Sequence, residues 1–351
     1  MTSGRDPRDA LRAYALPDAG PECRPVRGGH INETWRAGPW VLQRMNPDVF
    51  PDGKAVMENV LAVTRRLAER SGSRAGLRLV PTCDGRWWHT GPDGAIWRLF
   101  AFVAGDSFEV APTPAHAEGA ARAFGEFART MADPILPLHV TMPGFHDSRR
   151  RLAALAASAD RDAAGRATDA RGEIDAILAE HEVAAVIPDL LASGQLPLRV
   201  AHNDAKIANV IFETGSSAAL AVIDLDTTMP GSPLHDFGDL VRSMVSPAAE
   251  DAADPETVLI RHDYFARIAR GFLAGAGGLL TSSEREMLLT AARSIALEQA
   301  ARFLTDHLDG DRYYAVTLPA QNRARARTQL ALYRRLSAER DHLEALIPGA
   351  A

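Results

Sequence analysis

Two stretches of the chain combine residue types and spacings that could carry phosphoryl chemistry. The first is His202-Asn203-Asp204-Ala205-Lys206-Ile207-Ala208-Asn209, which runs into the apolar Val210-Ile211-Phe212; the second is Val222-Ile223-Asp224-Leu225-Asp226. A loop of the form His-x-Asp-x4-Asn places one carboxylate to accept a hydroxyl proton and one amide to hold magnesium. A carboxylate on the next hairpin completes the metal site. A lone His-x-Asp is commonplace and usually structural. Here His202, Asp204, Asn209 and Asp224 stand in register beside strand-like apolar runs, which favours catalysis. Asp226 follows Asp224 by two, so in an extended segment both side chains point to the same side. That leaves Asp226 either beside the metal or as a hydrogen-bond acceptor. Asp236-Phe237-Gly238 spells a second metal motif, yet it follows no strand and reads as the start of a helix.

Composition narrows the alternatives. With 351 residues, 46% of them hydrophobic and 24% charged, the chain falls in the globular range and has length for two domains and a real core. Of its 39 basic residues only Lys54 and Lys206 are lysine. A Walker-type phosphate loop needs Gly-Lys-Ser/Thr after a glycine run. Gly53-Lys54-Ala55 has neither the hydroxyl nor the preceding glycine spacing, so that class is excluded. A net charge of -6 argues against a nucleic-acid partner. The charge is uneven: residues 1–103 are net basic and residues 104–351 net acidic, which suits an anion held by the first part. Cys23 and Cys83 are too few for a disulfide framework or a cysteine zinc site. No apolar run approaches the ~20 residues of a membrane helix, and residues 1–15 lack an apolar leader core. The expectation is a cytoplasmic protein, monomer or homodimer, with no membrane attachment.

The elements that must position these residues follow from periodicity. A short helix over 9–16 precedes strands near 23–27, 33–36 and 40–44, separated by the Gly28-Gly29 turn and a second turn. Val56, Met57, Val60, Leu61, Val63 and Leu67 recur at helical spacing over 53–68. A strand at 77–80 and a hairpin around Gly91-Pro92-Asp93-Gly94 lead into a strand over 96–103. Beyond residue 113 the pattern is helical, interrupted by short strands at 197–201, 210–212 and 220–223. The predicted architecture is α+β: a small β-rich lobe over 1–103 and a large, mainly helical lobe over 104–351, with the site in the cleft between them.

With Gly28-Gly29-His30-Ile31-Asn32-Glu33-Thr34-Trp35, Val41-Leu42-Gln43-Arg44, Met57-Glu58-Asn59, the two stretches above, Met229-Pro230-Gly231 and Leu297-Glu298-Gln299, the chain resembles the aminoglycoside phosphotransferase and choline kinase superfamily. Within it, the resemblance is closest to the N-acetylhexosamine kinases that phosphorylate the anomeric hydroxyl. It covers most of the chain and implies a protein-kinase-like two-lobed fold, with ATP and Mg²⁺ as cofactors.

Carried over by position, the resemblance makes Asp204 the catalytic base and Asn209 with Asp224 the magnesium residues. Gly28 and Gly29 would bring backbone N–H groups to the phosphates. Arg44 would stand where protein kinases use a lysine, with Glu58 as its ion-pair partner. Ala101 to Val103 would form the hinge that meets adenine, and Lys206 would touch the γ-phosphate. For the acceptor, Arg302 and Tyr313 are the expected contacts, with His30 beside the glycine turn. The implied reaction is transfer of the γ-phosphoryl group to a sugar hydroxyl. The alternatives are the same chemistry on an aminoglycoside, a choline-like amine or a hydroxy amino acid, or a nucleotide-binding pseudokinase.

Overall fold

The computed structural model describes residues 6–16, 22–26, 31–71, 76–132 and 135–349. The N-terminal region is one antiparallel sheet. Its strands are β1 (Cys23–Pro25), β2 (Glu33–Ala37), β3 (Trp40–Arg44), β4 (His89–Thr90) and β5 (Ile96–Ala101), in the spatial order β1-β2-β3-β5-β4. Alternation along the strands makes two unlike faces. Leu42, Trp97 and Leu99 face outward under Leu11 and Tyr14 of the N-terminal segment, whose helix α1 is Pro7–Leu11. Val41 and Phe100 face inward onto α2 (Gly53–Ser71), where Val56, Met57, Val60 and Val63 are buried. The strand expected at 77–80 is reduced to a single bridge between Leu79 and Phe100. α1 starts at Pro7 rather than Asp9, because Asp6 caps it by accepting the Arg8 N–H at 2.9 Å.

The C-terminal region is helical. It comprises α3 (Pro114–Ala132), α4 (Ser148–Arg161), α5 (Arg171–Leu178), α6 (His181–Ala192), α7 (Pro233–Met244), α8 (His262–Ala276), α9 (Ser282–Glu286), α10 (Leu288–Leu308), α11 (Gln321–Ala338) and α12 (Arg340–Ala345). Helix α10 is buried on every side and runs through the middle of this core, a pattern that no amphipathic stripe announces. Helices α3 and α8 cross at close range. A Cβ at Gly275 would run into the Arg122 carbonyl, and one at Gly125 into the Phe272 carbonyl, so glycine is required at the crossing.

Four short strands sit between α6 and α7: β6 (Arg199–Ala201), β7 (Val210–Phe212), β8 (Ala219–Val222) and β9 (Met229–Gly231). They pair as β6 with β9 and β7 with β8. These two ribbons present the 202–209 loop and the 223–228 hairpin side by side. Asn59 of α2 joins the two regions, donating from Nδ2 to the carbonyls of His139 (2.9 Å) and Thr228 (3.1 Å) and accepting the His139 N–H at 2.8 Å. The architecture is the expected protein-kinase-like one, a small antiparallel-sheet region followed by a helical region.

Candidate active site

The 202–209 loop is held from beneath. Asp236, fully buried in the first turn of α7, accepts the His202 N–H at 2.9 Å and the Asn203 N–H at 2.7 Å through its two oxygens. Burial pushes its carboxyl up to about 7 even against these two donors. Asp236-Phe237-Gly238 is indeed helical, and its aspartate serves the loop as scaffold. His202 is buried against Phe124 and Phe127, and burial lowers its pKa, so the imidazole is neutral. Its Nε2 lies 3.0 Å from the Ile223 carbonyl, which ties the loop to the neighbouring hairpin. Asn203 takes a left-handed backbone at φ 64°, and Asp224 does so at φ 60°. Both are positions where a non-glycine residue stores strain, and they flank the reactive cluster.

In the cluster itself, Asp204 Oδ2 receives Lys206 Nζ at 3.0 Å and Asn209 Nδ2 at 2.9 Å; the same amide also donates to the Asp204 carbonyl at 2.8 Å. The Asp204 side chain remains 28% exposed, so it is reachable from solvent. Burial alone would raise its pKa, but its surroundings together outweigh it, the Lys206 ammonium first among them and the hydrogen bonds from Lys206 and Asn209 adding to it, and hold the carboxyl below the usual range. Lys206 is raised in turn by Asp204 and Asp224. Asp224 accepts no hydrogen bond among the described residues. Asp224 is exposed on one side, yet the protein packed around the other, then the like charges of Asp226 and Asp204, push its carboxyl up to about 7.

A bare carboxylate with raised proton affinity, on the hairpin that Ile223 ties to the Asn209 carbonyl, fits a hard divalent cation that would relieve the repulsion. Among the described residues no three His, Cys, Asp or Glu side chains converge on one point, so any such cation needs oxygens from a ligand as well.

Asp226 lies differently from Asp224. Its oxygens are taken by Arg98 of β5, with Oδ1 facing Nη1 and Oδ2 accepting Nη2 at 2.9 Å, and by Asn32 Nδ2 at 2.7 Å. Of the two roles left open above, the geometry is that of a hydrogen-bond acceptor.

The expected pair of Arg44 with Glu58 is corrected. Arg44 bonds Asp93 at 2.8 Å and faces Glu33 at 3.6 Å, whereas Glu58 meets His139 at 2.8 Å and Lys54 at 3.8 Å. The reason is strand parity. In the register of β3 with β5, Gln43 opposes Arg98 and Arg44 opposes Trp97, so Arg44 shares the outward face and Gln43 the inward one. Gly28, Gly29 and His30 lie outside the described residues. At the expected hinge, Arg78 and Pro39 carbonyls take the Ala101 and Phe102 N–H groups at 2.9 and 2.8 Å. The Val103 N–H has no partner among the described residues.

On the far side of the loop stands a second polar cluster. His146 Nδ1 lies 3.0 Å from Glu298 Oε1, and its Nε2 lies 3.0 Å from the Asn203 carbonyl; Ser148 donates to Glu298 Oε2 at 3.0 Å. One helical turn beyond Glu298 on α10, Arg302 makes no hydrogen bond or ion pair among the described residues and lies between the Phe145 and Tyr314 rings, at 5.3 and 5.8 Å. Tyr314 Oη is buried without a partner, while Tyr313 is 56% exposed at the rim. Asp306 accepts the N–H groups of Arg312, Tyr313 and Tyr314 at 2.8, 2.8 and 2.9 Å and so shapes the segment that carries both tyrosines.

Burial would raise Glu298, but His146 above all, then Arg302 and Arg151, hold it at about 2; the same contact raises His146 above 6.5 against burial. A lowered carboxyl stabilises the fold above its ordinary pKa and loses that contribution as pH falls toward about 2. A raised histidine stabilises below 6.5 and loses its contribution as pH climbs past the folded value. The pair therefore contributes fully between about pH 4.5 and 6.5. Glu298→Gln is expected to flatten the acid limb of the stability curve, measured by urea unfolding at pH 5.5 and pH 3. An acid limb as steep as the parent's would rule out this pair as its source.

Of the residues singled out from the sequence, the structure brings Asp204, Lys206 and Asn209 into one hydrogen-bonded group with Asp224 on the adjoining hairpin, and sets Arg302 near two aromatic rings. Sequence spacing carries no sign of the contacts of Arg98, Asn32 and His146, or of the part Asp236 plays beneath the loop, because their partners are distant in sequence. The strand run containing Arg98 was the available signal for that residue, since strand parity sets Arg98 on the same face as Val41.

Residues 22–269 match the model of the phosphotransferase enzyme family. Several solved structures share the fold. A microcompartment-associated aminopropanol kinase is 14% identical, with 96% of this chain and 97% of that chain covered at a TM-score of 0.59. A choline/ethanolamine kinase family protein from Mesorhizobium loti is 18% identical over 97% and 98%, with a TM-score of 0.57. A spectinomycin phosphotransferase in complex with ADP and spectinomycin is 12% identical over 94% and 97%, with a TM-score of 0.59. With a family model spanning most of its length, the chain belongs to the phosphotransferase enzyme family.

Proposed function

We propose that the chain is an ATP- and Mg²⁺-dependent kinase that phosphorylates a sugar hydroxyl, most specifically the anomeric hydroxyl of an N-acetylhexosamine, in the cytoplasm. Nucleotide would lie between a lobe over 1–103 and a lobe over 104–351. The observation that carries the reading is the Asp204 carboxylate, half-open to the cleft and shared by Lys206 and Asn209 beside the bare Asp224.

Asp204 would accept the hydrogen bond of the acceptor hydroxyl and orient it for in-line attack. Its lowered basicity suits a loose transition state, in which the proton leaves late and the carboxylate mainly positions. Lys206 would lie along the γ-phosphate, and Asn209 and Asp224 would hold the cation. Magnesium, when bound, neutralises charge on the transferring phosphoryl group. The Gly28-Gly29 turn would supply backbone N–H groups to the phosphates, and the free Val103 N–H would meet the base.

For the acceptor, an unpaired guanidinium between two aromatic rings, next to a buried unpartnered hydroxyl, offers planar donors and a flat apolar face. That combination suits a hexose ring carrying an acetamido group. Support for an amine-bearing acceptor comes from the aminopropanol, choline/ethanolamine and spectinomycin acceptors named for the structural neighbours. A fixed cation at Arg302 disfavours a second cation there.

An ADP-release screen across N-acetylhexosamines, hexoses, aminoglycosides and choline separates the two. Turnover is expected with the N-acetylhexosamines and lost when the anomeric hydroxyl is methylated. Activity confined to amines would sink the sugar reading, and magnesium-dependent nucleotide binding without turnover on any acceptor would favour a pseudokinase.

A further inference from the structure

We infer that Arg98, Asp226 and Asn32 form a clasp between the sheet and the 223–228 hairpin that sets the position of Asp224. Arg98 and Asn32 are then positioning residues for phosphoryl transfer, and Asp226 is a structural acceptor rather than a metal ligand. The inference rests on the reading of Asp224 as the metal carboxylate.

Both ionic partners are almost completely withdrawn from water, each 2% exposed, and 128 positions apart in the chain. The guanidinium meets the carboxylate fork to fork. Its plane is fixed from the side, because Nε donates to Gln43 Oε1 at 2.9 Å and Gln43 Nε2 donates to Thr34 Oγ1 at 3.2 Å. Asn32 closes the clasp from the other side. Its Nδ2 donates to Asp226 Oδ2 at 2.7 Å, while its Oδ1 accepts the Asn46 N–H at 3.1 Å.

A cation at Asp226 would have to displace Arg98 from a buried site, leaving that charge uncompensated. Desolvating two charges is a poor device for stability, and a buried pair is better understood where it selects one geometry. Here that geometry is local to Asp224. Asp224 is the residue that enters the short 3-10 turn Leu225–Thr227, in which Asp226 is the middle residue. On its other side Ile223 donates its N–H to the Asn209 carbonyl at 2.9 Å. The left-handed Asp224 is therefore pinned at both ends, to the catalytic loop by Ile223 and to the sheet by Asp226.

The test is calorimetric titration of ADP into the full chain with and without Mg²⁺, alongside thermal melting. Arg98→Met and Asp226→Asn are each expected to cut the Mg²⁺-dependent gain in ADP affinity about tenfold, with metal-free ADP affinity within about twofold of the parent. Asn32→Ala, which keeps the ion pair, should give the same split to a lesser degree. In the double variant Arg98→Met/Asp226→Asn no unpaired charge remains. Its melting temperature should recover relative to Arg98→Met while the Mg²⁺-dependent gain stays low, and it carries the test if a single variant fails to fold. A double variant that recovers both quantities would show a merely structural pair and overturn the clasp. So would an Asp226→Asn that loses the gain while Arg98→Met and Arg98→Lys keep it, since Asp226 would then be a ligand. An Asp224→Asn that keeps the full gain would instead overturn the metal reading on which the clasp rests.

Discussion

Asp204→Ala is expected to lower kcat by about three orders of magnitude, in the middle of the range for removing a positioned base. The affinity for ADP should change by less than about threefold, about 0.7 kcal/mol. The two effects separate if, as proposed, the carboxylate meets the acceptor hydroxyl and not the nucleotide, and Asn209 keeps a second anchor on the Asp204 backbone carbonyl. Lys206, relieved of its partner at 3.0 Å, remains available to phosphate and would hold nucleotide as well or better. Asp204→Asn should fall nearly as far, because an amide can still meet Lys206 through its oxygen but cannot take the hydroxyl proton. The measurements are steady-state ADP release and calorimetric titration of ADP. A variant that turns over within about tenfold of the parent would remove Asp204 from the reaction.

How much of this site could be read from sequence follows from how far apart its partners lie. Asp204, Lys206 and Asn209 occupy one loop, and Asp224 one hairpin further on, so their spacing encodes their proximity. Strand parity is the first place where spacing misleads. Arg44 is a good residue in a good strand, but a shift of one position moves a side chain to the opposite face, and Gln43 holds the inward place. Long-range pairing is the second. Arg98 and Asp226 belong to different regions of the fold, and His146 meets Glu298 across 152 positions, so neither contact has a local signature. Helix α10 was legible as a long helix, yet its role as the buried spine presenting Glu298 and Arg302 depends on what surrounds it.

Asp236→Ala is the sharpest test of the distinction between the two aspartate motifs, because its expected effect is on stability first. The variant leaves two buried backbone N–H groups, those of His202 and Asn203, without acceptors. At roughly 1.5–3 kcal/mol for each hydrogen bond to a charged group, the loss should be about 3–6 kcal/mol, a large share of a typical domain's stability. Asp236→Asn should not rescue it. One oxygen can accept one N–H, but the amide nitrogen then confronts the other donor, so about 2 kcal/mol or more is still lost. Asp224→Ala should behave in the opposite way. That carboxylate accepts no hydrogen bond among the described residues and is repelled by Asp226 and Asp204, so its removal should leave the urea midpoint unchanged or raise it while turnover disappears. Both variants lose activity, but only Asp236→Ala loses it by releasing the loop that holds Asp204, and only its unfolding curve should move to lower urea. Equal destabilisation by the two substitutions would mean that Asp224 is scaffold as well. An Asp236→Ala protein as stable as the parent would mean that the loop keeps its shape without that carboxylate beneath it.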